Sequence, residues 1–152
     1  MRLGVDLLDV ARFGRIAGHP RGRRMVFTAA ELAEAEGLAA ERAAEFLAGR
    51  FCAKEATAKA LGRGLGQGLG WRDIEVLRDE FGAPRVRLGG GARAVAERQG
   101  VGEITLSLSH HGGWVVAAAI ALPAPGAGPG ARAGAGSGAD AAGPGPAPSP
   151  DR

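Results

Sequence analysis

Glu55 and Lys59 stand four residues apart in the run RFCAKEATAKALG, residues 50–62, and project from one face of any helix formed there, one turn beyond Phe51. A carboxylate and an ammonium so placed can form a solvated pair worth roughly 0.2–0.5 kcal/mol. They can also do chemistry, if the fold brings a second acid beside them. Asp6, in LGVDLLDV, is the candidate. Its neighbours are Val5 and Leu7, where burying a carboxylate is costly unless it is paired, hydrogen-bonded or bound to a cation. It can equally lie on the wet face of an edge strand. Magnesium takes one or two carboxylates, keeps several waters and fills its shell from substrate phosphates. Asp6 and Glu55, in apolar surroundings beside basic residues, fit that demand, although most chains can supply two acids.

These residues need a strand and a helix to carry them. Residues 3–10 are aliphatic and β-branched and read as a strand. Asp9 suits the N-cap of a short helix over 10–16. Residues 18–24, GHPRGRR, form a polar turn, either a solvated loop or a docking patch for an acidic partner or a phosphate. Thr28 with Glu31 makes a capping box that opens a helix through Glu36. A long helix is predicted over 41–61, rich in Ala, Leu, Glu and Lys, with Phe46, Leu47, Phe51, Ala58 and Leu61 as its buried stripe. Gly62 ends it.

The loop GRGLGQGLG, residues 62–70, lacks the Gly-Lys-Ser/Thr of a phosphate loop and the Rossmann spacing, and it follows a helix where both need a strand. Residues 71–78 and 85–88 read as two strands, and 92–99 as a helix. In residues 104–109, Ile104, Leu106 and Leu108 alternate toward the core against Thr105, Ser107 and Ser109. A turn at 110–113 leads to a nearly unbroken apolar strand over 114–122, of the kind normally covered on both faces. Strands and helices intersperse without strict βα alternation. The expected class is α+β, a small antiparallel sheet packed against a long central helix.

The chain has 152 residues and a net charge of +3. Only Pro20 and Pro84 precede residue 123; from there on Pro, Gly, Ala and Ser dominate without a large apolar side chain. Such a segment cannot bury enough surface to offset its ordering entropy. The expected organisation is one folded domain over 1–122 and a disordered tail over 123–152. The basic excess belongs to the domain and favours an anionic partner. A nucleic-acid binder is disfavoured, because interleaved aromatics are missing: there is no Tyr and few Phe. The single Cys52 forbids an internal disulfide. With no signal peptide and no membrane-length apolar run, a cytosolic protein is expected.

Three blocks in order carry a resemblance. GVDLLDVARF resembles the opening G-[IV]-D-[ILV]-x-x-[IV]-x-R-[FI], RFCAKEATAKALG the block R-[FW]-[AC]-[AC]-K-E-A-x-x-K-A-[LF]-G, and LSLSHHGGWVVAAAI the hairpin [VL]-S-[IL]-[ST]-H-x-x-x-[YW]-[AV]-x-A of the holo-acyl-carrier-protein synthases, the small trimeric class of 4'-phosphopantetheinyl transferases. With DIEV and GAPRVRL between them, it covers residues 2–122.

The resemblance implies transfer of 4'-phosphopantetheine from coenzyme A to a serine of apo-acyl carrier protein, giving adenosine 3',5'-bisphosphate. The carrier would belong to fatty-acid, polyketide or peptide synthesis. It implies Asp6 and Glu55 as magnesium ligands. Lys59 would stabilise phosphate charge or help deprotonate the serine, the first being safer because lysine is a poor base near neutrality. Arg50 and Lys54 would contact coenzyme A phosphate. His110 would act beside them, placed by alternation on the polar side with Ser107 and Ser109, unless it merely caps the hairpin. Arg12, Arg21 and Arg24 match the region that meets the acidic carrier. The resemblance further implies a homotrimer with sites between subunits. His111 departs from the acidic or small residue of some members, and the Gly/Ala/Pro tail has no counterpart in the usual short ending. The rival reading is a catalytically inactive coenzyme A or carrier-protein binding module.

Overall fold

The computed structural model describes residues 1–17 and 19–126. Strand β1 (Arg2–Asp9) runs into helix α1 (Val10–Ala17), followed by α2 (Pro20–Val26), α3 (Ala29–Glu36) and the long α4 (Ala40–Ala60). A 3-10 turn (Trp71–Asp73), strands β2 (Ile74–Arg78) and β3 (Pro84–Leu88), helix α5 (Gly90–Arg98) and the hairpin β4 (Val101–His111) and β5 (Trp114–Pro123) complete it. β5 lies between β1 and β4 in one antiparallel sheet, and β2 and β3 make a second, two-stranded sheet. The α+β class with antiparallel strands on a central helix is as expected, with two sheets in place of one.

Local chemistry explains most boundaries. Asp9 Oδ1 accepts from the backbone N–H of Ala11 at 2.8 Å and Arg12 at 3.1 Å, which starts α1. Thr28 and Glu31 form the capping box of α3. Gly62, at φ 67°, takes the left-handed position after α4. The arginine-dense stretch is a correction: it is helical from Pro20 to Val26, entered through a proline at its first turn. The strand expected from residue 71 begins at Ile74, after the 3-10 turn.

α4 also departs from expectation. Instead of one buried stripe, Arg50, Cys52, Lys54, Thr57 and Ala58 are all buried, although they point to different sides. Helix α4 packs against β1, β5, β4, β2, α1 and α3. The sheet meets it through small residues: Ala117, Ala119 and Ala121 are buried, and a Cβ at Gly4 would overlap the Ala56 carbonyl oxygen. Glycine is the residue that allows such close backbone approach.

The far face of the three-stranded sheet is bare: Leu3, Val5, Leu7, Trp114 and Val116 are exposed apolar residues. The expected cover on both faces is present on one face of the single chain. No helix of the described residues is long and apolar enough to cross a membrane. The expected tail falls largely on residues 127–152, outside the described residues. Before them, Pro123 still belongs to β5 and Ala124 N–H donates to Gly100 O at 2.8 Å.

Candidate active site

Asp6 follows Gly4 on the same face of β1, so the close approach of α4 at Gly4 sets the helix against the aspartate. Cys52 Sγ lies 3.3 Å from the Asp6 carbonyl oxygen. Lys59 Nζ donates to Asp6 Oδ1 at 2.9 Å and to Val5 O at 3.0 Å. The Asp6 side chain is 16% exposed and that of Lys59 49%, so the pair opens to solvent from the lysine side. Glu55, half-buried, is one turn before Lys59.

The electrostatics follow from this crowding. The Glu55 carboxyl is raised above its ordinary 4.5, first by burial and next by the charge of Asp6, with Lys59 opposing. Lys59 is raised above 10.5, chiefly by its hydrogen bond to Asp6. An ammonium held that firmly is a fixed positive charge, and this disfavours the proton-removing role. Burial pushes the Cys52 thiol up to about 12, which makes it inert as a nucleophile.

A carboxyl raised by burial and by a neighbouring carboxylate is what a cation relieves. Among the described residues no three or more His, Cys, Asp and Glu side chains gather in one metal-binding group. A cation held by Asp6 and Glu55 would have two hard carboxylate donors and would need oxygen ligands from elsewhere, which suits magnesium better than zinc.

Because the folded-state Glu55 carboxyl is raised, its favourable contribution is complete below 4.5 and is lost as pH climbs through the folded-state value. With chelator present, Glu55→Gln is expected to melt above the parent protein at neutral pH and level with it under acid. Millimolar magnesium is expected to raise the melting temperature of the parent and leave the variant unmoved. Calorimetry over a pH series reads both effects, and an unresponsive parent would contradict a cation between these acids.

The other side of α4 carries a second concave region. A cavity of about 280 Å³ is lined by Arg42, Phe46, Arg50, Arg78, Pro84 and His110 among others. The Arg50 guanidinium lies 4.0 Å and that of Arg78 5.1 Å from the Phe46 ring centroid. Arg50 is 5% exposed, its Nε has no hydrogen-bond partner, and burial lowers its pKa below the ordinary guanidinium value. A buried cation with an unmatched donor beside a cavity is suited to an anion.

The position of His110 corrects the expectation. It pairs with Val115 as Leu108 pairs with Ala117, so alternation sets it on the inner face with Leu108 and opposite Ser107 and Ser109. The turn is Gly112–Gly113, both at positive φ, which leaves both histidines in the strand.

Lys54 is a second correction. Its side chain is fully buried, paired with Glu31 Oε2 at 2.8 Å, and its Nζ donates to Ile74 O at 2.6 Å and Trp71 O at 3.0 Å. Committed on all sides, it holds the structure together and is not presented to a phosphate. Arg12, Arg21 and Arg24 are exposed on α1 and α2.

Sequence reasoning missed Glu31, Glu34, Arg42 and Arg78. Glu31 already had a role as a capping residue, which hid its buried pairing. The others gave no local signal, because the contacts are made between distant elements.

A sequence profile of the 4'-phosphopantetheinyl transferase superfamily matches residues 2–119. The holo-[acyl-carrier-protein] synthase of Moorella thermoacetica is 49% identical over 121 residues, covering 79% of this chain and 92% of that one. A crystal structure of the Neisseria meningitidis holo-[acyl-carrier-protein] synthase superposes with a TM-score of 0.72 at 29% identity, over 80% of this chain and 97% of that one. The Bacillus anthracis enzyme in complex with CoA (3',5'-ADP) superposes at 0.66 with 31% identity, over 78% and 92%. Agreement in sequence and fold over nearly the whole length of these relatives establishes that the chain belongs to the 4'-phosphopantetheinyl transferase superfamily, among its holo-acyl-carrier-protein synthases.

Proposed function

We propose that the chain is a magnesium-dependent holo-acyl-carrier-protein synthase, transferring 4'-phosphopantetheine from coenzyme A to a serine hydroxyl of apo-acyl carrier protein. The observation that carries this is the Asp6–Glu55–Lys59 cluster: a Glu55 carboxyl raised by burial and by the charge of Asp6, beside a lysine held protonated. Asp6 and Glu55 would hold the magnesium ion, which when bound would supply positive charge against the diphosphate and the departing bisphosphate. Lys59 adds a second charge at the same edge. The serine oxygen forms the new P–O bond at the pantetheine phosphorus as the diphosphate P–O bond to adenosine 3',5'-bisphosphate breaks, and the serine proton passes to the departing bisphosphate or to water.

Coenzyme A carries one phosphate besides the diphosphate, on the 3' position of its ribose. The basic cavity of Arg42, Arg50, Arg78 and His110 is the seat proposed for that end. Arg50 and Glu55 are five residues apart, which advances a helix about 7.5 Å and turns it roughly 140° past a full turn. They look out of different sides of α4, so one ligand reaches both most simply if the acids of one copy face the cavity of another. A homotrimer with sites between subunits accommodates this, and the bare face of Leu3, Val5, Leu7, Trp114 and Val116 is the surface it would cover. Exposed Arg12, Arg21 and Arg24 would steer the acidic carrier. The proposed setting is the cytoplasm, with a fatty-acid carrier the first to try.

The test is to incubate the protein with coenzyme A, magnesium and a panel of apo-carriers and to look for the phosphopantetheine mass increment. Transfer that stops with chelator is expected. Tight binding of coenzyme A or carrier without transfer would favour an inactive binding module instead.

A further inference from the structure

Glu34, on α3, stands behind the basic cavity without lining it. Its Oε2 is 3.4 Å from Arg50 Nη2 and 3.5 Å from Arg78 Nε, and its Oε1 accepts from the backbone N–H of Arg78 at 3.3 Å. One carboxylate thus spans two guanidiniums that lie against the same ring, Phe46. The two cations repel each other, and Arg78, with a side chain 42% exposed, is free to swing outward unless something retains it. Glu45, the acid that does line the cavity, is exposed and makes no ion pair among the described residues.

We propose that Glu34 is a positioning residue that clamps Arg50 and Arg78 together, so that the cavity presents a preformed double-arginine cradle to the 3'-phosphate of coenzyme A. Glu34 touches no ligand itself. It acts through the arginines, by cancelling their repulsion and fixing their spacing to match phosphate oxygens. The inference rests on the reading of this cavity as the seat of the 3'-phosphate, and its test separates the two.

Glu34→Gln keeps the size and removes the charge. Its KM for coenzyme A is expected to rise about tenfold, the order set by one charge-assisted contact. Its kcat at saturating coenzyme A stays within about twofold, because a loss of ground-state binding alone leaves kcat in place. Calorimetric affinity for adenosine 3',5'-bisphosphate falls by the same factor. The KM for 3'-dephospho-coenzyme A does not change, since it has no phosphate for the cradle. A merely structural role would move both substrates alike, and that result overturns the clamp, as does an unchanged or lowered KM for coenzyme A.

Glu34→Asp retains the charge but is one methylene short of spanning both guanidiniums, and a comparable loss is expected. Parental affinity in that variant would mean that charge alone suffices and would overturn the clamp. Arg78→Gln, at an exposed position, tests the cavity. If Arg78→Gln weakens coenzyme A while Glu34→Gln does not, Glu34 alone is misassigned. If neither alters the preference for coenzyme A over its dephospho form, the cavity reading itself falls and the clamp with it.

Discussion

Glu55→Gln is expected to lower the rate of phosphopantetheine transfer on the order of a thousandfold while leaving the fold intact. The substitution keeps an oxygen donor and the side-chain volume, so α4 still packs on β1 through Gly4 and Ala56. On the proposed reading, what it removes is one of the two negative charges that would face a divalent ion. Such an ion would contribute several kcal/mol of charge stabilisation as the bisphosphate departs, and about 1.4 kcal/mol corresponds to each tenfold in rate. Losing the greater part of that term therefore gives about three orders of magnitude. Lys59 does not compensate, because its ammonium already answers to Asp6 at 2.9 Å. The measurement is single-turnover transfer to apo-carrier at saturating coenzyme A and magnesium, with thermal unfolding as the control for fold. A variant within about tenfold of the parent would sink the two-carboxylate cation site and leave Lys59 and the arginines as the main electrostatic agents. Asp6→Asn is expected to fall by a similar factor, with the added consequence that Lys59 loses its partner.

The sequence conveyed the site's charged trio better than it conveyed the burial of the trio's neighbours. Asp6 was legible because a carboxylate amid Val5 and Leu7 is out of place in a strand. Glu55 and Lys59 were legible because helical spacing fixes their common side. Caps announced themselves too, at Asp9, Thr28 and Gly62, since their chemistry is local. Arg50 and Lys54 show where local reasoning stops. Basic residues on a helix read as solvated or ligand-facing, and nothing within the helix tells that β2, β5 and α3 will close around it. His110 erred for a simpler reason: period-two counting sets it with Leu108, and the polar serines next door pulled it to the wrong side. The helix over Pro20–Val26 was hidden by its own arginines and Gly22, which read as turn composition although Pro20 favours a first turn.

Lys54→Met is expected to destabilise the fold by about 3–5 kcal/mol, the range for breaking a buried ion pair by removing one partner. That is a large share of the roughly 5–15 kcal/mol that holds a domain of this kind together. The loss has three parts. Glu31, fully buried, is left with an uncompensated charge. The carbonyls of Ile74 and Trp71 lose a donor at 2.6 and 3.0 Å. The tie between α4 and the start of β2 goes with them. Glu31 retains its own backbone contacts, accepting from Val76 N–H at 2.9 Å and Thr28 N–H at 2.8 Å, so α3 stays anchored while the helix beside it loosens. The double variant Glu31→Gln/Lys54→Met is expected to lose less than the two single changes summed, because the stranded charge is gone and the amide still serves Val76. Denaturant unfolding of the four proteins measures the coupling directly. If Lys54 met a phosphate instead, the single variant would keep its stability and raise the KM for coenzyme A. The fully buried ammonium, hemmed in by Glu31 and two carbonyl oxygens, makes the opposite pattern the expected one: a marked fall in unfolding free energy, with KM little changed at temperatures where the variant is folded.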